Sequence, residues 1–88
     1  MIQEESRMDD LALRLMRCFQ VVFPSLPEAK IAEASQSSVE NWDSIATITL
    51  GTVIEEEFSV QMDFEKLPDL DSFAKMLTWV RSRTGLSG

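Results

Sequence analysis

The chain has 88 residues, 44% of them apolar, and its 15 acids against 8 bases leave a net charge of −7. That length makes one domain, residues 1–88, whose small core barely outweighs chain entropy, so regular helices with few long loops are expected. The acidity disfavours nucleic acid and anionic membrane as partners, the lone Cys18 excludes a disulfide framework or a thiolate zinc cluster, and no apolar run approaches the roughly 20 residues of a membrane span.

The opening "MIQEESRMDD" is acidic where a secretory signal is basic, so a cytoplasmic protein is expected. The negative charge is concentrated. Residues 40–71 carry 9 acids and 1 base, whereas residues 72–88 carry 3 bases and no acid, so the middle of the chain is the part that would attract a basic protein surface.

Met8, Leu11, Leu15, Cys18, Phe19 and Val22 recur at steps of three and four and predict an amphipathic helix over 6–22, ended by Pro24 and Pro27. Cys18 falls on its apolar face as a packed thiol. A connection of about 18 residues follows, small and polar from "FPSLPEAK" to "ASQSSVENW", with a weak helical turn around 28–34; loops of such length are more often functional than idle.

Asp43 or Ser44 should cap a second helix running to about Glu57. Its apolar residues form two sides: Ala46, Leu50, Val53 and Ile54 for the core, and Ile45, Ile48 and the methyl-bearing Thr52 for solvent or a partner. Gly51 costs about 1 kcal/mol against alanine in a helix interior, which close packing or a nearby pocket would explain. Glu55, Glu56 and Glu57 stand at the negative end of the helix dipole, where stability does not explain them. Phe58 to Phe64 alternates like a strand but lacks a second strand, and reads as an extended link. Leu67 lies in a short turn before Pro68. Asp71 or Ser72 caps a final helix with Phe73, Met76, Leu77 and Val80 inward, and Gly85 stops it. The expected fold is all-α, a small bundle of three main helices plus a short one, with a long loop between the first two and residues 1–5 and 84–88 as flexible termini.

Enzymatic signals are weak. With no histidine, Ser44 cannot join a Ser-His-Asp triad, and the lysines show no supporting spacing. Reading a calcium loop from Asp63 puts Pro68 at the sixth position and Ala74 at the twelfth, where glycine and glutamate are required.

The stretch "WDSIATITLGTVIEEEFSVQM" resembles the heart of an acyl carrier protein: Asp43-Ser44-Ile45, an amphipathic helix, and "IEEEF" beginning 10 residues after the serine. The likeness extends through Leu70 and Phe73 to Val80. It implies a carrier-type helical bundle that is not itself an enzyme. Ser44, beside Asp43, would carry 4′-phosphopantetheine delivered from coenzyme A by a phosphopantetheinyl transferase. Ile45, Ile48, Thr52, Glu55 and Glu56 would form the docking face for synthase enzymes and for a ligase or transferase that loads acyl or aminoacyl groups. Leu50, Ile54, Met62, Phe64 and Leu67 would line a pocket for the attached chain. Ala46, Thr47 and Thr49 stand where fatty-acid carriers place acids, and Trp42 resembles carriers of polyketide, peptide, aminoacyl and surface-polysaccharide pathways, so a dedicated pathway is expected over bulk lipid synthesis. A monomer is expected. The alternative is an unmodified helical interaction module in which Ser44 is only a helix cap; a small serine hydrolase is the third reading.

Overall fold

The computed structural model describes residues 10–84, in which four α-helices follow one another: α1 (Asp10–Val22), α2 (Glu28–Ile31), α3 (Ser44–Phe58) and α4 (Phe73–Thr84). A 3-10 turn, Leu67–Asp69, separates α3 from α4, and among the described residues the only β-type pairing is an isolated bridge between Ser35 and Ser72. This is the expected small all-α bundle with a long connection between its first two main helices. Met8, Gly85 and the terminal segments 1–5 and 85–88 lie outside the described residues, whereas Thr84 closes α4.

α1 buries Leu11, Ala12, Leu15, Met16, Cys18 and Phe19 and packs against α2, α3 and α4. Its last carbonyls are met by the loop, where the Phe23 amide donates to the Phe19 carbonyl (2.7 Å), and Pro24 prevents further helix. Apart from the single turn of α2, which falls within the helical turn expected around 28–34, the long connection is ordered by burial rather than by regular structure. Ile31, Ala34, Val39 and Trp42 turn inward, the Gln36 amide donates to the Asp71 carbonyl (2.8 Å), and the Phe73 amide donates to the Ala34 carbonyl (2.9 Å). The loop is thereby tied to the start of α4.

The aromatic centre of the core joins three segments. Phe19 meets Trp42 edge-on with ring centroids 5.5 Å apart and Phe73 at 5.2 Å, while Phe23 lies 5.6 Å from Trp42. Such pairs each add about 0.5–1.5 kcal/mol beyond their buried area. The ring of Trp42 thus fixes the residue two places before α3 to the body of the bundle.

α3 ends on Ser59, whose φ of 54° and ψ of 43° put it in the left-handed region usual for a helix C-terminus. Arg14 from α1 reaches that end: its Nε donates to Glu57 Oε2 (2.8 Å), its Nη2 donates to the Glu57 carbonyl, and its guanidinium stacks on the Phe58 ring at 4.6 Å. Glu55 Oε2 accepts the Met62 amide (2.8 Å) and so holds the following link. Two of the three clustered glutamates therefore have structural partners, a correction to the expectation that stability does not account for them. At α4, Ser72 Oγ accepts the Lys75 amide (3.1 Å) and Lys75 pairs with Asp71 (3.1 Å). Trp79 is buried on that helix, while Leu77 is only half-buried.

Candidate functional site

The site begins where the long loop becomes α3. Asp43 has extended backbone geometry and its Oδ1 accepts the Ala46 amide at 2.9 Å, so Asp43 is the helix cap and Ser44 is the first helical residue. The cap position left open by the sequence is therefore taken. Ser44 is exposed, and its hydroxyl makes no hydrogen bond among the described residues. The threonines of α3 differ: Thr47, Thr49 and Thr52 each donate a hydroxyl to the carbonyl four residues earlier, at 2.9, 2.9 and 3.1 Å. For Ser44 the residue four places earlier is Glu40, which lies before the helix, so no such bond forms and its oxygen stays available.

A second network reaches the same turn from the core. Trp42 Nε1 donates to Thr47 Oγ1 (2.9 Å), and the carbonyl of Asp43 accepts both the Thr47 hydroxyl and the Thr47 amide at 2.9 Å. Sequence reasoning noted Trp42 and Thr47 only as features of the resemblance. A buried tryptophan needs a partner for its N–H, and a threonine five residues later was the available signal.

Beside Ser44 lies a groove of about 560 Å³, lined by Ser44, Thr47 and Ile48 of α3, Gln36 of the long loop, and Phe64, Leu67 and Pro68. Its size falls within the range of small-ligand sites. Of the residues expected in a pocket, Phe64 and Leu67 line this groove, whereas Leu50, Ile54 and Met62 are filled core positions, 0%, 0% and 4% exposed. Gln36 and Pro68 come to the site from distant stretches, and nothing in their local sequence marks them. Gly51 explains the close approach of that wall. A methyl group there would stand 2.8 Å from Leu67 Cδ2 and 3.2 Å from Phe64 Cε1.

The expected docking residues divide. Ile45 and Ile48 are 74% and 55% exposed, and with exposed Thr52 they form an uncharged stripe running from Ser44 along α3. Glu56 is exposed and without a partner among the described residues, but Glu55 is half-buried and engaged with the Met62 amide. Phe64, 45% exposed, extends the apolar surface across the groove from Ile48.

Cys18 stays apart from this surface. Burial, and secondarily the Glu57 carboxylate, push its thiol up to about 12 from 9.0, so it remains a neutral packed group at physiological pH. Among the described residues no three of His, Cys, Asp and Glu gather as a metal site, and no helix is long and apolar enough to cross a membrane.

The fold and site define a small helical protein that displays a free serine hydroxyl at the start of its longest described helix, between a groove and an apolar stripe. No family model matches the chain, and no curated protein matches it significantly.

Proposed function

We propose that this protein is a carrier of the acyl-carrier type, not itself an enzyme, in which Ser44 is the attachment point for 4′-phosphopantetheine. The observation that carries this reading is the exposed, unbonded hydroxyl of Ser44 at the first position of α3, with capping left to Asp43. An unmodified interaction module would need Ser44 only as a cap, and the Asp43 carboxylate already fills that role.

The residues present fit the group. Ser44 oxygen would form the phosphodiester by displacing 3′,5′-adenosine bisphosphate from coenzyme A, its proton leaving to a base of the transferase. The phosphate would then sit at the positive end of the α3 dipole, where first-turn amides lack intrahelical acceptors. Gln36 and Thr47 give the adjoining groove polar edges, and Ile48, Phe64 and Leu67 give it an apolar wall for the arm. When attached, the arm supplies a thiol on which acyl or aminoacyl groups travel as thioesters.

Ile45, Ile48 and Thr52 offer partner enzymes an uncharged contact beside the attachment point, with Glu56 as the free acid further along the helix. Such a surface suits apolar docking more than recognition by a strongly basic patch, which supports a dedicated pathway over general fatty-acid synthesis. The partners in this reading are a phosphopantetheinyl transferase, a loading ligase or transferase, and synthase enzymes. A cytoplasmic monomer is part of the same proposal.

The test is incubation with coenzyme A, magnesium and a broad-specificity phosphopantetheinyl transferase, read by intact mass. Addition of a single phosphopantetheine to the native protein, and none to Ser44→Ala, is the expected result. No addition, beside a carrier modified in the same tube and with a folded helical spectrum here, would favour the interaction module.

A further inference from the structure

We infer that Trp42 and Thr47 are positioning residues that hold the Ser44 hydroxyl ready for modification by latching the first turn of α3 to the aromatic core; this rests on the reading of Ser44 as the attachment point. A first helical turn is where amides lack intrahelical partners and where helices fray. Here the turn is tied down twice. On one side the Asp43 carboxylate holds the Ala46 amide (2.9 Å). On the other, Trp42 Nε1 donates to Thr47 Oγ1 (2.9 Å), which in turn donates to the carbonyl of Asp43 (2.9 Å), the residue directly before Ser44.

The anchor of this chain is rigid. Trp42 is 3% exposed, with its ring against Phe19 and Phe23. A buried indole N–H needs an acceptor, and Thr47 Oγ1 is its partner, so removing that oxygen leaves an unsatisfied donor as well as a looser Asp43 carbonyl. Ser44 itself is in none of these bonds. The latch therefore fixes the backbone around the serine while leaving its oxygen free, which is what an acceptor hydroxyl in a group transfer requires.

The variants separate this role from simple packing. Thr47→Val keeps the side-chain shape and removes the oxygen, Thr47→Ser keeps the oxygen, and Trp42→Phe keeps an aromatic ring but removes the N–H. In the transferase assay Thr47→Val should lower kcat by about tenfold with KM for the protein little changed, since the docking stripe is intact. Trp42→Phe should fall between Thr47→Val and wild type, and Thr47→Ser should recover most of the rate. A second readout needs no transferase: exchange of the Trp42 indole proton, read by NMR beside the Trp79 indole as internal control, should be slow in wild type and at least about tenfold faster in Thr47→Val. Wild-type kcat in Thr47→Val, failure of Thr47→Ser to recover the rate, or an indole proton in wild type that exchanges as freely as in Thr47→Val would overturn the latch. Wild-type protein that is never modified while its indole proton is protected would remove the attachment reading and the positioning role, leaving the hydrogen bonds as packing alone.

Discussion

Asp43 and Ser44 are adjacent, yet their side chains have opposite energetic roles. Asp43 caps α3 through the Ala46 amide, so Asp43→Ala should destabilise the protein by about 0.5–2 kcal/mol in urea denaturation. Ser44 is exposed and unbonded, and Ser44→Ala should change stability by no more than about 0.5 kcal/mol. A large loss for Ser44→Ala would mean that the hydroxyl is structural after all. Cys18 supplies a matching control at the same scale. The thiol is 2% exposed and should not react with an aromatic disulfide reagent in the native state, so a reactive thiol appearing after modification would belong to the arm. Because its folded pKa lies above its unfolded value, the stability linked to this thiol is complete below about pH 9 and is lost as pH rises toward 12, which alkaline urea titration would show as a falling midpoint.

Among the elements, α3 shows best what could be read locally and what could not. Its two apolar sides, its start at Asp43 or Ser44 and its end near Glu57 follow from spacing and capping chemistry, so the core positions Leu50 and Ile54 and the exposed positions Ile45 and Ile48 were both legible, while the choice of Asp43 as the cap was not. The reason for Gly51 was only half legible, because it depends on a segment more than ten residues away folding back against the helix. Leu67 and Phe64 come so close that Gly51→Val should destabilise the protein by about 1–3 kcal/mol and distort the groove wall, as thermal denaturation and the shift of the Phe64 ring signals in NMR would report. Unchanged stability and ring signals would mean that the 60s segment packs more loosely than described. The pocket residues Leu50, Ile54 and Met62 were expected beside Phe64 and Leu67 only through the resemblance to carrier proteins, and the first three are filled core. Apolar pattern alone does not separate a groove wall from filled core.

For the whole molecule, the long loop between α1 and α3 illustrates the limit of local reading. Its polar composition hides five inward residues, Phe23, Ile31, Ala34, Val39 and Trp42, spaced without a sustained helical or strand period, and its ties to Asp71 and Phe73 join stretches far apart in sequence. Gln36, one of the tied residues, lines the groove, while Trp42 is held against Phe19 and Phe23 and bonds the first turn of α3. The acidic middle of the chain likewise has two functions. Glu57 and Glu55 hold the end of α3 to α1 and to the following link, whereas Glu56 remains at the surface. The bundle thus uses its loop to hold the start of α3, where Ser44 is exposed, and two of its acids to hold the other end of that helix.

The most direct measurement is fragmentation mass spectrometry of the full chain after treatment with coenzyme A, magnesium and the transferase. The account predicts one phosphopantetheine, borne by the fragment that contains Ser44, with Ser35, Ser37 and Ser38 of the neighbouring loop unmodified. A group located on one of those loop serines, or a native chain that stays unmodified beside a carrier that reacts, would contradict it.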